Sequence, residues 1–410
     1  MDLIPLHERV VALDIHQAVI TSCAIVADED GVRIEERAFE TFKRGLRALV
    51  DWCLKIAPEV VVMESTGIYW KSAHAWLERA GFKCVVVNAR HVKNVPGHKS
   101  DISDPRWLAM LARAGLLRPS FVPPEKLRFL RIVSRQRQKV VGTLAAEKNR
   151  LGKVLADAGV RLGVVVSDIH GKSARAMTAA LIAGATPEQA LQFASPQLKA
   201  PREAIAAALE GEISDQHTFV LKQILGHIAF LEQSIAKFDA HLIAGLDSPE
   251  EKNALALLQT VPGIDLIGAA MLLVEIGTNM VLFAGSDHLA SWAGMCPGNN
   301  RSAGKRKNER QRKGNTYVRR LLCEFVQAAR KSPCAFQAKH RAVAIRRGSK
   351  RAIMACAHKM LRVIWAMLLR KQPYRDSTVD YEALSVRRNA PRWIRALKHF
   401  GYLRASAATR

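Results

Sequence analysis

The stretch VVALDIHQAVITSCAIV, residues 10–26, holds two short apolar runs, Val10 to Asp14 and Val19 to Val26, with His16 and Gln17 as a polar break between them. Two such runs so closely spaced predict a β-hairpin. Downstream, Val32 to Phe39 alternates roughly, and Arg44 to Ile56 repeats Leu46, Leu49, Val50, Cys53 and Leu54 at helical spacing. Val60 to Met63 reads as a buried strand, the region from Trp70 to Ala80 as a helix, and Cys84 to Val87 as a second buried strand. Three strands, a helix, a strand, a helix and a strand predict a ribonuclease H-like α/β sheet.

From about Pro124 to Asp247 strand signals vanish. Leu127 to Ala158 and Ser214 to Leu246 are long amphipathic stretches with few breakers, and Ala174 to Ala208 is Ala-rich and reads as shorter helices. Two long helices suit an antiparallel or intermolecular coiled arm, though packing into one helical domain fits the periodicity equally well. The remainder is mostly helical and basic. The expected domains are 1–123, α/β; 124–248, a helical coiled-coil or dimerisation region; 249–372, helical; and 373–410, a basic and aromatic tail of no evident role.

At 410 residues, 49% of them hydrophobic and 24% charged, the chain can bury two or three ordinary cores. Its seven cysteines (23, 53, 84, 296, 323, 334 and 356) form no CxxC pair, which argues against a zinc ribbon or disulfide framework and for a reducing compartment. The start, MDLIPLHERV, lacks the basic and apolar regions of a secretory signal, and the apolar window Ile264 to Gly277 is too short to span a bilayer. A soluble intracellular protein, with no membrane partner, is expected.

Charge is the decisive composition. Cys296 to Arg375 holds 22 Lys and Arg against two acids, Glu309 and Glu324, a net +20 within a chain of +25. Such a block repels itself unless a polyanion neutralises it, and nucleic-acid phosphates are the commonest intracellular polyanion. A solvated basic face or a headgroup patch is the alternative. Interleaved apolar helical residues, without a lipid-inserting face, favour nucleic acid.

Asp14 and Glu64 each end an apolar strand, so both project from one edge of the sheet. Asp101 and Asp104, three apart, share a face if their segment opens a helix. Four carboxylates converging on one point repel each other unless divalent cations hold them, and oxygen-only ligands suit Mg²⁺ or Mn²⁺. A pair of such ions is the usual device for in-line attack on a phosphodiester. Singly, Asp14 reads as a turn residue, Asp101 as a helix cap and Glu64 as a surface charge; their joint order points to a site. Actin-like ATPases and sugar kinases share this topology, but His16, Gln17 and Ala18 after Asp14 include no glycine for phosphate approach. Gly171, Lys172 and Ser173 resemble the end of a Walker loop, yet Val166 stands where its first glycine belongs.

Leu257 to Gly277 has the shape of a helix-hairpin-helix, whose turn amides could meet a phosphate, but Asp265 replaces the usual third turn glycine and packing is the competing explanation. Beyond it, Pro297, Gly298, Asn299, Asn300 and Gly304 mark an irregular loop with Ser302 beside Arg301 and Lys305, Arg306 and Lys307. A serine held there by cations could attack a phosphodiester if a metal or base took its proton; most loop serines are polar filler. Arg312 and Lys313 precede a helix whose Arg319 and Arg320 can reach backbone phosphates.

The strand ending at Asp14, the Met-Glu64-Ser-Thr-Gly run, the Lys99-Ser-Asp101-x-x-Asp104 segment, the Val-Pro-Gly-Ile hairpin and the Asn-Arg-Ser302-x-Gly-Lys loop together resemble the DEDD transposases of the insertion-sequence-110 type, relatives of Piv-like DNA invertases. The resemblance covers about Val10 to Arg330. It implies a RuvC-like domain whose metal-binding, catalytic acids are Asp14, Glu64, Asp101 and Asp104, and a nucleophilic serine, Ser302, that joins covalently to DNA. It also implies a structured guide RNA pairing with donor and target DNA, a coiled-coil arm that builds homodimers or homotetramers, and work at the nucleoid of a bacterial cytoplasm. A RuvC-like junction-resolving endonuclease using metal-activated water is the alternative, and a non-catalytic nucleic-acid-binding protein the third reading.

Overall fold

The computed structural model describes residues 5–403, other than residues 30, 66, 90–91, 93–94, 96–102, 297–299, 303–304, 309–313 and 377–378; for 300–302, 305–308, 382 and 385 it describes the backbone alone. The chain forms two compact units, residues 1–125 and 126–410.

The first unit contains β1 (Arg9–Ile15), β2 (Val19–Asp28), β3 (Gly31–Glu40), α1 (Lys43–Ile56), β4 (Val60–Glu64), α2 (Trp70–Arg79), β5 (Cys84–Val87) and α3 (Asp104–Arg113). The strand order is β3-β2-β1-β4-β5. β1, β2 and β3 form an antiparallel meander, whereas β4 pairs parallel with β1, and β5 parallel with β4. Alternation along the strands sorts the core into two faces. Leu13, Ile15 and Met63 pack with Leu49 and Trp52 of α1 and Leu77 of α2 on one, and Val10, Ala12 and Val62 pack with Leu108, Ala109 and Ala112 of α3 on the other. Val60 to Met63 are therefore buried on both sides, as a continuous apolar run in a parallel pair requires. The edge strand β3 is mostly exposed and carries Arg33, Glu35, Glu36, Arg37 and Glu40, charges that discourage pairing with another chain. The element order is the one the sequence pattern predicts.

The second unit opens with α4 (Glu125–Asp157), followed by α5 (Leu162–Val165), α6 (Lys172–Ile182), α7 (Pro187–Leu191), α8 (Arg202–Leu209) and α9 (Asp215–Ala244). α4 and α9 run antiparallel within one chain: Lys126 pairs with Asp247 at 2.6 Å, Arg137 with Asp239, Lys148 with Glu232 at 3.2 Å and Asp157 with His217 at 3.2 Å. The four small helices close over the far end, around Leu151, Leu155, Met177, Ile205 and Leu221.

Then come α10 (Pro249–Gln259), α11 (Leu266–Ile276), a 3-10 turn (Met280–Leu282), α12 (Ser286–Trp292), β6 (Asn300–Ser302), β7 (Lys305–Asn308), α13 (Thr316–Ala329), α14 (Ala335–Arg347), α15 (Ser349–Arg370) and α16 (Tyr381–His399). α15 is long and apolar enough by length and composition to cross a membrane. Its apolar side, however, is core: Ala352, Cys356, Ala357, Met360, Leu361 and Ile364 are buried. The tail is docked at its root, with Tyr374 stacked on Phe336 at 5.7 Å and the Asp376 carboxylate accepting the Ala335 amide at 3.0 Å.

One buried ionic node joins α4, α11 and α13. Glu275, 1% exposed, accepts two hydrogen bonds from Arg135 at 2.8 and 2.9 Å and one from Asn315 at 2.7 Å. Arg131 lies 3.2 Å away and also donates to the Val274 carbonyl at 3.0 Å, while the Arg135 guanidinium sits 4.3 Å over the Tyr317 ring. Burial alone pushes the Glu275 carboxyl up, but the Arg135 hydrogen bond and the charges of Arg131 and Arg135 outweigh it and hold the group below its ordinary value. Such a carboxyl stabilises the fold above its unfolded pKa, and that contribution is lost as pH falls through the lowered folded value. Glu275→Gln leaves both arginines uncompensated and should cost about 3 kcal/mol. In thermal melts the variant should lose stability at pH 7 and show a shallower loss than wild type on acidification below about pH 4; parallel pH profiles would contradict this assignment.

Candidate active site

Asp14 lies one residue before the end of β1, and Glu64 ends β4. Because Leu13 pairs with Met63 in parallel register, the two acids are the next neighbours across the ladder, on strands about 4.8 Å apart. Alternation puts Asp14 on the face of Val10 and Ala12, and Glu64 on the face of Val60 and Val62, the face covered by α3. The helix runs back against β1: its last carbonyl, Arg113, accepts the amide of Leu6 at 2.8 Å, just ahead of β1. Its first residue, Asp104, therefore stands toward the sheet end that carries Asp14 and Glu64.

Asp104 is exposed, and Asp14 and Glu64 are partly buried. Ser103, the residue before α3, turns its hydroxyl to Glu36 at 2.8 Å instead of capping the helix. Asp101 lies outside the described residues. His16 places Nε2 3.0 Å from the Asp14 carboxylate, a partner the sequence reading treated only as a turn residue. Its signal was the i, i+2 spacing from Asp14, which returns a side chain to the same side of extended chain.

Among the described residues no three His, Cys, Asp or Glu side chains gather closely enough to hold an ion by themselves. Two neighbouring carboxylates at an open sheet edge nevertheless suit Mg²⁺, which is commonly held by one or two carboxylates with water and substrate phosphate completing its shell.

The second group of residues belongs to the other unit. Asn300–Ser302 and Lys305–Asn308 form a two-stranded antiparallel ribbon in which Ser302 pairs with Lys305. The sequence predicts an irregular loop here. With polar residues on both faces, the ribbon has no apolar alternation to announce it. Arg306 and Lys307 are on β7, and Arg312 and Lys313 lie outside the described residues. Of the other expected phosphate contacts, Arg320 is paired with Glu324 at 3.0 Å and Arg319 is half-buried on α13.

Both ends of the serine segment are fastened. Gly314 and Gly294 touch backbone to backbone, so a Cβ on Gly314 would fall 2.2 Å from the Gly294 nitrogen. Asn315 donates its amide to the Trp292 carbonyl at 3.3 Å, caps α13 by accepting from Tyr317 and Val318, and reaches Glu275. Sequence reasoning missed this anchor, although Glu275 shows as a lone charge in the apolar run LIGAAMLLVEI.

α10 and α11 do form a hairpin. Gly263, at φ +85°, packs where a Cβ would meet the Phe325 carbonyl at 2.4 Å, and the Asp265 carboxylate takes the Gly268 amide at 2.7 Å. A carboxylate already occupies that helix start, which favours packing over phosphate binding.

Two family models match: one described as "Transposase", of the DEDD IS110 type, over residues 11–159, and one described as "Transposase IS116/IS110/IS902 family" over residues 255–341. The chain belongs to the IS110-type transposases. A "Probable family 20 transposase" of Pseudomonas aeruginosa is 24% identical over 335 residues, covering 79% of this chain and 88% of that protein. A Thermus thermophilus RuvC structure is also similar, at 13% identity and a TM-score of 0.22, over 27% of this transposase and 99% of that chain.

If Asp14 and Glu64 share a cation, Mg²⁺ should raise the melting temperature of the transposase, since a ligand that binds only the folded state stabilises by about 2.7 kcal/mol at one hundred times its Kd. The Asp14→Asn, Glu64→Gln double variant should melt no lower than wild type without Mg²⁺ and lose the Mg²⁺ increment. An undiminished increment would place the cation elsewhere.

Proposed function

We propose that this transposase cuts and rejoins DNA through attack by Ser302, with Asp14, Glu64, Asp101 and Asp104 as holders of Mg²⁺ or Mn²⁺. The observation that carries the reading is the placement of Asp14 and Glu64 as cross-strand neighbours on the face covered by α3, whose first residue is Asp104. When bound, the divalent cation supplies charge stabilisation to the scissile phosphate and lowers the pKa of the attacking hydroxyl. The chain's own work is to present oxygen ligands at one rigid sheet edge, and to hold the serine ribbon between the Gly294–Gly314 contact and the Asn315–Glu275 hydrogen bond.

Attack by the Ser302 Oγ on phosphorus forms a phosphoserine ester and expels the 3′ oxygen, which takes up a proton. Reversal on an exchanged strand re-forms the phosphodiester and frees the serine. No nucleotide cofactor is required, because the ester conserves the bond energy. The resemblance adds a structured guide RNA, donor and target DNA, a dimer or tetramer in which subunits share sites, and a cytoplasmic, nucleoid-associated setting.

Incubation with a DNA substrate carrying the element's ends, followed by denaturing electrophoresis, tests the chemistry. A protein-DNA adduct should form with Mg²⁺ or Mn²⁺ and be absent in Ser302→Ala, with rejoined product lowered by at least about a thousandfold, the scale set by losing a nucleophile. Cleavage that survives Ser302→Ala without an adduct would identify a metal-activated water as the attacker and the chain as a junction-resolving type of nuclease.

A further inference from the structure

A cavity of about 510 Å³ opens in the C-terminal helices, lined by Ser286 at the start of α12, Lys339 of α14, and His358, Lys359, Arg362 and Trp365 of α15. Neither the metal-binding acids nor the serine ribbon contributes to it. Three cations from two helices converge here. Arg362 is partly compensated, 3.2 Å from the exposed Asp287 carboxylate and donating to Ser286 Oγ at 3.2 Å. The Lys359 ammonium rests 4.5 Å over the Tyr381 ring, with the Asp376 charge acting on it more weakly than burial does. Burial, with the neighbouring charges of Lys359 and Arg362, holds the Lys339 ammonium below its ordinary value. Counting Asp287 and Asp376 against the three cations leaves a surplus of one positive charge, with His358 neutral.

Trp365 packs in the cavity wall. The Trp365 indole nitrogen is buried and, among the described residues, has no hydrogen-bond acceptor. Like charges drawn together repel unless an anion with several acceptor oxygens completes the group. A phosphate meets each requirement: it is anionic, accepts several hydrogen bonds, and fits beside lysine point charges and an arginine fork. Carboxylates are short in this stretch of chain, where 22 basic residues face two acids.

We infer that this cavity is a phosphate-binding site for a nucleic-acid backbone, separate from the catalytic residues, in which Lys339, Lys359 and Arg362 grip one phosphodiester. The inference rests on the reading of the chain as a nucleic-acid enzyme and deepens it by naming a contact outside the serine ribbon. The helix geometry suits a strand running along α15: Arg351, exposed nearer its start, is seven residues from His358, about 10 Å along the same face. Such a contact fixes position and carries no base information.

The test measures affinity of the full chain for a random-sequence 30-bp DNA duplex and for an RNA hairpin, across a salt series. Wild type should bind at least one of them with a steep salt dependence. Lys339→Gln should weaken that binding by roughly fivefold to tenfold at 100 mM salt and reduce the slope of log K against log[salt] by about one. Lys339→Arg should restore both. Loss on the duplex alone assigns the phosphate to DNA, loss on the hairpin alone assigns it to RNA, and loss on both assigns a contact shared by the two. Unchanged affinity and slope in Lys339→Gln, with wild type still binding steeply, would overturn the cavity assignment and leave the catalytic reading intact. Wild type that binds neither probe in a salt-dependent way would overturn the nucleic-acid reading and the cavity with it.

Discussion

Two carboxylates at the ends of neighbouring parallel strands are the constraint around which the first unit is organised. Parallel register fixes their separation, and the pleat fixes their common face. Neither depends on a loop. The counter-charge proposed for the two neighbouring acids is a shared divalent cation. The apolar run beneath each acid supplies the rigidity: Val10 to Leu13 and Val60 to Met63 are buried on both faces of the sheet. The acids are therefore the first residues along their strands to meet water at that edge.

The second unit solves a different problem, how to hold a polar, highly basic segment that contributes little apolar surface of its own. Its ends are gripped where the chain can be gripped: glycine against glycine, and an asparagine that caps a helix with its oxygen while its nitrogen reaches a buried glutamate. Two arginines from α4 help hold the buried Glu275 carboxyl below its ordinary value, and so the long helix and the base of the serine segment share one interaction. Breaking it would loosen both.

Much of this could be read from the residues. Asp14 and Glu64 were legible because each closes an apolar run, and strand-end position is a property of sequence. The two long helices were legible because nothing in them breaks the period. The β6–β7 ribbon was not, since residues such as Asn300, Arg301 and Lys305 carry no alternation between apolar and polar. Nor was the full extent of α15 as a candidate span, where Lys359 and Arg362 interrupt the apolar run while its other side lies in the core. The His16 contact and the Asn315–Glu275 bond join residues whose relation exists only after folding. The cationic cavity is the same kind of feature, since Lys339 and Arg362 are drawn together by helices that periodicity can place singly but cannot pack.

Anomalous diffraction from crystals of the transposase soaked in Mn²⁺ addresses the central claim directly. A peak within about 2.5 Å of carboxylate oxygens of both Asp14 and Glu64 is the expected result. A well-ordered site with both side chains in place and no peak at saturating Mn²⁺, or a peak bound only by other residues, would contradict the account.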